Sequence, residues 1–350
     1  MKIYTNCRNF RGDIPCRPHK EYGVHCDGCR YYDPIQEKIL IIKLGAIGDV
    51  MRTTPLLTKL YEVYPQSQIH WLTHTPEILP SNIDRIYKYN LRDIEIVKQI
   101  EYDLLLNLDK DREACALANA ISAKLKKGFS LVDGHCSPMD ESARPKWITG
   151  LFDDKNRENT KSYPEEIFQI CGFQYNREEY ILEVKERQSW NLPKGKTIIG
   201  LNTGCGLRWK TRLWPESHWI RLAELLMESG YDVLFMGGEQ EDEKNTRLAK
   251  SSGAKYLGHF RLALFVDLMN QCDLIVTAVT MALHISLGLK KKVILFNNIF
   301  NKYEFELFGR GKIIEPPTEC KGCFMNECDK PCMELIYPEE VFSNIQILLK

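Results

Sequence analysis

The sequence predicts an α/β protein built from two successive arrays of alternating strand and helix. Three observations carry that. Ile39–Ile42 is an apolar run of strand length, and it is followed by the small residues Gly45, Ala46 and Gly48. Thr197–Asn202 restarts the pattern and is followed by Thr203-Gly204-Cys205-Gly206. Between them, residues 186–196 are polar, with Pro193 and Gly195, and read as a hinge.

The elements follow in order. After the glycine turn, Thr54 and Pro55 read as N-cap and first position of a helix carrying Leu56, Leu57 and Leu60. Gln68–Leu72 is a second strand, residues 82–87 and 94–96 are weaker elements, and Tyr102–Leu108 is a clear strand. A helix is predicted over Asp111–Lys124, with Ala114, Leu117, Ala118 and Ile121 on one face. Residues 130–162 are turn-rich and read as a substrate loop. Pro164–Cys171 is a helix stopped by Gly172.

In the second array, Pro215 opens an amphipathic helix with Trp219, Leu222, Leu225 and Leu226, and Tyr231–Met236 is a strand. Asp242–Ser251 and Phe265–Asn270 are helices, Leu274–Thr277 a strand, Thr280–Leu287 a helix start, and Lys292–Phe296 a strand. Pro338–Leu349 is a closing amphipathic helix. The predicted boundaries are 1–36, a cysteine-rich segment; 37–190, the first α/β domain; 191–337, the second; and 338–350, the last helix.

With 47 basic and 47 acidic residues the net charge is zero, so the chain carries no overall field for nucleic acid or an anionic bilayer. No apolar run is long enough to span a membrane. The expectation is a cytoplasmic protein with at most peripheral membrane contact; assembly state is left open.

The chain has 13 cysteines, eight of them clustered. Cys7, Cys16, Cys26 and Cys29 form C-x8-C-x9-C-x2-C; Cys320, Cys323, Cys328 and Cys332 form C-x2-C-x4-C-x3-C. Such spacing in a cytosolic chain reads as structural zinc or iron, or an iron–sulfur cluster, more readily than as disulfides. His19 and His25 are alternative ligands in the first set. One site shared by both ends and two separate sites are both compatible with the spacing.

Asp49 stands at the end of the first strand's turn, where open parallel sheets place their ligands. It is the candidate general base. Inverting sugar transfer needs a carboxylate to take the acceptor's hydroxyl proton as the anomeric carbon gains oxocarbenium character. Thr203 and Gly204 offer backbone N–H groups to a pyrophosphate. Arg208, Lys210 and Arg212 add cations beside them, and His284 could donate to phosphate or a sugar hydroxyl. Asp109-Lys110-Asp111 has a metal-binding D-x-D form, but Asp111 is equally a helix cap.

Three stretches resemble glycosyltransferase family 9, the heptosyltransferase-like proteins of GT-B fold. They are ILIIKLGAIGDVMRTTPLL from Ile39, GLNTGCGLRWKTRLWPESHW from Gly200, and DLIVTAVTMALHISLGLKKKVILF from Asp273. The resemblance implies two facing Rossmann-like domains, with the last helix crossing back to the first. It implies inverting, metal-independent transfer from a nucleoside-diphosphate sugar, ADP-heptose for the named members, to a lipopolysaccharide core. By position, Asp49 matches the family's base beside Gly48, Thr203 and Arg212 its phosphate contacts, Glu239 an adenosine or ribose contact, and Thr280, Met281 and His284 its third motif. Val279 stands where the family usually carries an Asp, which leaves the donor open. The compact C-terminal cysteines resemble the iron finger of the subgroup that modifies autotransporter proteins, so a protein acceptor is also implied. A nucleotide-sugar epimerase or hydrolase would share the two-domain layout, and a metal-bearing adaptor would share the cysteines.

Overall fold

Two six-stranded sheets, each wound in the same order, organise the chain. The computed structural model describes residues 1–193, 195–206 and 209–350. The first sheet contains β1 (Lys38–Ile42), β2 (Gln68–Thr73), β3 (Arg85–Lys88), β4 (Tyr102–Asn107), β5 (Ala123–Val132) and β6 (His135–Pro138). The second contains β7 (Ile198–Asn202), β8 (Asp232–Met236), β9 (Lys255–Tyr256), β10 (Leu274–Ala278), β11 (Lys292–Phe296) and β12 (Gly311–Ile314). Their orders are β3-β2-β1-β4-β5-β6 and β12-β11-β10-β7-β8-β9. Among the described strands, the β5–β6 pair alone is antiparallel. In each half the first strand therefore lies between its second and fourth, so the winding reverses direction at β1/β4 and at β7/β10. Open α/β sheets bind ligands in the crevice at that reversal.

The helices are α1 (Arg17–Tyr22), α2 (Ile47–Met51), α3 (Pro55–Val63), α4 (Leu91–Lys98), α5 (Arg112–Ala120), α6 (Arg144–Leu151), α7 (Asp153–Glu158), α8 (Tyr163–Cys171), α9 (Glu216–Glu228), α10 (Asp242–Ser252), α11 (Leu262–Asn270), α12 (Met281–Gly288) and α13 (Pro338–Leu349). The central strands are buried on both faces, as parallel sheets covered by helices must be. Ile39, Leu40, Ile41 and Ile42 are all fully buried, with Ile39 and Ile41 in one core and Leu40 and Ile42 in another.

The structure differs from the sequence expectations in four places. The predicted helix over Asp111–Lys124 stops at Ala120, and Ala123–Val132 is a strand paired in parallel with β4. Pairing with a buried neighbour outweighs the helical pattern of a lysine-rich segment. Residues 130–162 are not an irregular loop. Asp133 and Gly134, both at positive φ, close the β5–β6 hairpin, and α6 and α7 follow. Thr54 and Pro55 hold the expected N-cap and first positions of α3, but the Thr54 hydroxyl does not cap the helix; it donates to the Met51 carbonyl and accepts from the Ile181 N–H.

The last difference concerns the route between the lobes. Helix α13 packs its buried Val341 and Ile345 into the core that contains Trp219 of α9 and Phe296 of β11. Its main partners are α9, β11 and β12, all in the second lobe. The crossing is made instead by the extended segment 173–192. There Glu183 accepts from Ser81 of the first lobe, while Gln188 and Trp190 donate to Asp267 of α11.

Candidate functional site

Strand β1 delivers the chain into a turn that Asp109, at the end of the neighbouring β4, holds in place. The Asp109 carboxylate accepts from the N–H groups of Leu44 at 2.8 Å and Gly45 at 2.7 Å, with Lys43 at 3.4 Å. This is a structural carboxylate, which accounts for the first acid of the D-x-D triplet. Asp111 is the N-cap residue of α5, without a side-chain bond to that helix. The fixed turn opens into α2, which the sequence shows only as a glycine turn, and Asp49 sits in its first turn.

Asp49 lines a cavity of about 850 Å³ between the lobes. Its side chain keeps 33% of its surface exposed. Arg52, one helical turn on, donates to Asp49 Oδ1 from Nε at 2.9 Å and lies at 2.7 Å through Nη2. Burial works to raise the Asp49 pKa, but Arg52, Lys43 and His284 outweigh it and bring the carboxyl to about 2. Arg52 also reaches Glu304 of the second lobe at 3.8 Å and stacks 3.6 Å from the Tyr163 ring centroid. One guanidinium thus orients the carboxylate and ties the lobes together.

The opposite wall comes from the ends of β7, β8 and β10. Asn202 closes β7 and donates from Nδ2 to Thr277 Oγ1 at 3.0 Å, which fixes the β7/β10 crevice. Beyond it Gly204 lines the cavity, and a Cβ there would lie 2.7 Å from the Glu241 carboxyl carbon. Thr280 caps α12, accepting from the Ala282 N–H at 3.2 Å. The positive end of that helix faces the cavity through Thr280, Met281 and Ala282.

Arg212 is 7% exposed and lines the same wall. Its Nη2 donates to the Cys205 carbonyl at 2.6 Å and its Nη1 to the Val279 carbonyl. Its Nε has no partner among the described residues, although the atom is buried. A cation clamped by two carbonyls with a spare donor suits an anionic ligand, because an unmade buried donor costs about 1–3 kcal/mol. Burial lowers its pKa from the usual arginine value.

His284 is one of the points where the lobes touch, its ring lying against Gly48. It is 5% exposed, its ring lies 6.0 Å from Tyr180, and its Nδ1 has no partner among the described residues. Burial and the neighbouring Arg52 push its pKa down to about 3, against an opposing pull from Asp49. It is therefore a neutral imidazole near pH 7.

Two switch-point crevices that face each other across one cavity, with a carboxylate on one wall and a cation and helix N-terminus on the other, match what the comparisons find. The sequence profile of glycosyltransferase family 9 (heptosyltransferase) matches residues 92–332. The chain belongs to glycosyltransferase family 9. It is 22% identical over 250 residues to lipopolysaccharide heptosyltransferase 1 of Pseudomonas aeruginosa, covering 61% of this chain and 64% of that one. It is 23% identical over 281 residues to lipooligosaccharide heptosyltransferase 2 of Haemophilus ducreyi, covering 73% and 80%. Among solved structures, the family 9 glycosyltransferase of Veillonella parvula superposes with a TM-score of 0.71 at 18% identity, covering 90% of this chain and 97% of that one. The iron-containing dodecameric glycosyltransferase TibC of enterotoxigenic Escherichia coli gives 0.59 at 11% identity, covering 90% and 76%. These likenesses establish the two-lobed GT-B-like fold.

Of the residues that the sequence suggests for this family 9 glycosyltransferase, Gly48, Asp49, Gly204, Arg212, Glu239, Thr280, Met281 and His284 share the cavity. Thr203 does not line it; its hydroxyl is buried and donates to Asn245 Oδ1 at 2.6 Å. Lys210 is exposed and also lies off the cavity wall. Arg208 lies outside the described residues. Sequence reasoning missed Arg52, Glu304 and Glu241. Arg52 had a signal, since it stands three residues after Asp49 and a helix there puts the two on one face. Glu241 and Glu304 had none, because tertiary packing alone brings them in.

The cysteine expectations fare differently. No group of three or more His, Cys, Asp or Glu among the described residues converges into a set that could hold a metal ion. All 13 cysteines are free of disulfides. The 320–332 segment lies beside the site wall: Phe324 N–H donates to the Ile299 carbonyl and Thr211 Oγ1 to the Met325 carbonyl, both at 2.9 Å. It braces the turn Lys210–Arg212 from outside and reaches the first lobe where Arg157 donates to the Gly322 carbonyl at 3.4 Å. No described helix is long and apolar enough to cross a membrane.

Proposed function

We propose that the chain transfers a heptose from ADP-heptose to a hydroxyl of a lipopolysaccharide-core or protein acceptor, with inversion at the anomeric carbon. The observation that carries this reading is the placement of Asp49 across one cavity from Arg212 and the N-terminus of α12. The acceptor hydroxyl enters from the first lobe and attacks the anomeric carbon as its proton passes to an Asp49 oxygen. The bond from that carbon to the diphosphate breaks, and ADP leaves toward Arg212 and the backbone N–H groups that open α12. Positive charge there stabilises the leaving diphosphate as it develops. The heptosyltransferase names of the relatives support the donor and the core acceptor; TibC, described in complex with ADP-D-β-D-heptose, supports the donor as well.

Asp49 with a pKa near 2 is a weak base at rest. It serves because the acceptor hydroxyl becomes acidic only as its oxygen bonds to the oxocarbenium carbon, so the proton moves late. Arg52 keeps the carboxylate ionised and aimed into the cavity throughout. The four thiols from Cys320 to Cys332 are proposed as a structural iron or zinc set that would stiffen the Arg212 turn. Their spacing and the iron in TibC support this, while their present arrangement does not yet form a ligand set.

Calorimetry with ADP, UDP and GDP, followed by ADP-heptose with a heptose-free core acceptor, tests the reading. ADP should bind best, and product should form only when acceptor is present. Donor hydrolysis at the same rate without acceptor, or no binding of ADP, would overturn it.

A further inference from the structure

Among the described residues, four acids line the cavity between the lobes: Asp49, Glu239, Glu241 and Glu304. Asp49 is assigned the acceptor's proton. Glu241 is committed to the fold, its Oε2 accepting from the Gly238 N–H at 3.0 Å. Glu239 stands exposed on the same turn after β8. Glu304 is left without a role. Its side chain is 13% exposed, and its ionic partner among the described residues is Arg52, whose Nη1 lies 3.8 Å away. That separation is too long for a hydrogen bond, so both carboxylate oxygens can still serve a ligand.

The carboxylate is held in place. Glu304 ends a 3₁₀ turn, Lys302–Glu304, in the loop after β11. Asn301 caps that turn, its Oδ1 accepting from the Tyr303 N–H at 3.1 Å. Its Nδ2 donates to the carbonyls of Asn156 and Asn159 in the first lobe, at 2.6 and 2.7 Å. Just before the turn, Asn297 Nδ2 donates to the Phe300 carbonyl at 2.9 Å. The Phe300 ring meets Trp209 edge to face, with centroids 5.4 Å apart, and both rings line the cavity. Aromatic surface suits the C–H face of a sugar, and a fixed carboxylate accepts from its hydroxyls.

The strand order says which part of a donor would lie there. Along the second sheet the order runs β11-β10-β7-β8. Glu304 follows β11 and Glu239 follows β8, so they flank the crevice about three strand spacings, or roughly 14 Å, apart. Arg212, after β7, and the start of α12, after β10, stand between them. A nucleoside-diphosphate sugar with its diphosphate at that centre sends the nucleoside to one flank and the sugar to the other. The anomeric carbon must face Asp49, and the Glu304 flank is the one tied to Asp49, through Arg52. At the centre Val279 offers only an apolar side chain, because its carbonyl accepts from Arg212. We propose that Glu304 holds the transferred sugar, accepting hydrogen bonds from its hydroxyls while Trp209 and Phe300 cover its apolar face. This rests on the donor assigned above and names the residue that tells the sugar-bearing donor from the bare nucleotide.

Calorimetry of ADP and ADP-heptose on full-length wild type, Glu304→Gln and Glu304→Ala tests it, alongside heptose transfer by the wild type. In the wild type the heptose should raise affinity over ADP by roughly 10- to 100-fold, the worth of hydrogen bonds to a charged group. Glu304→Ala should lose that increment and keep ADP binding within about twofold, because ADP does not reach this flank. Glu304→Gln should fall between, since the amide keeps one acceptor oxygen. A Glu304→Ala protein that keeps the wild-type increment overturns the proposal. So does one that binds ADP and ADP-heptose equally weakened, which would make Glu304 a structural residue. A wild type that transfers heptose but gains no affinity from it overturns the proposal as well. These three results leave the donor reading intact, whereas a wild type that neither binds nor transfers from ADP-heptose defeats both.

Discussion

The His284 ring of α12 lies against the bare Cα of Gly48 in α2, so that a Cβ added at Gly48 would stand 2.5 Å from His284 Cδ2. This glycine is kept small by the other lobe, and the contact sets how closely Asp49 approaches the donor wall. Gly48→Ala should force the buried ring aside at a cost of about 1–3 kcal/mol, as overpacking does. The expected result is a Tm lowered by several degrees and transfer reduced at least tenfold, with the loss in kcat larger than that in KM.

Arg52 is the main charge holding the Asp49 carboxyl down at about 2. Removing it as Arg52→Gln should let burial raise that pKa. The acid limb of the kcat/KM profile, absent in the wild type above about pH 4 on this account, should then move up toward neutrality. The pH dependence of single-turnover transfer checks this. An unchanged profile would detach Arg52 from Asp49.

Arg212 lines the cavity wall with its charge, and its Nε is buried without a partner among the described residues. A hydrogen bond to a charged group is worth about 1.5–3 kcal/mol, so Arg212→Ala should weaken ADP binding by roughly 10- to 100-fold. Arg212→Lys should recover only part of this, because an ammonium cannot keep both carbonyl bonds and serve the ligand as a fork. Calorimetry with ADP separates the three proteins.

Two buried histidines make stability fall in mild acid. His284 and His70 both have folded pKa values near 3, lowered chiefly by burial, whereas an unfolded histidine titrates near 6.5. Between those values the unfolded chain binds protons that the folded chain does not. Their stabilisation is thus fully present above about pH 6.5 and is lost as pH falls toward 3. Each contributes a slope of about 1 kcal/mol per pH unit below pH 6. Urea unfolding at pH 7 and pH 5 should show the loss, and His284→Asn should remove roughly half of it.

The strands at the switch points were legible because their residues state their own environment. Ile39–Ile42 reads as a buried strand and Thr197–Asn202 as a new first strand, and buried strands form at Lys38–Ile42 and Ile198–Asn202. Asp49 was legible because it follows such a strand. Thr203 and Lys210 misled for one reason: a side chain beside a glycine turn can face either way, and Asn245 captures the Thr203 hydroxyl from a helix more than 40 residues later. Strand β5 was hidden because its lysines reach partners outside its own sequence, Asp103 for Lys124 and Asp140 for Lys127. The tie between Arg52 and Glu304 spans about 250 residues, and no local pattern encodes it.

The central claim is that one carboxylate, that of Asp49, takes the acceptor's proton. The most direct test is Asp49→Asn, which keeps the shape and removes the base, assayed for ADP affinity and for heptose transfer on the same preparation. The account predicts ADP binding within about threefold of wild type and transfer reduced by about 10²–10⁴, the range that a positioned base supplies. Transfer at the wild-type rate by that variant would contradict it.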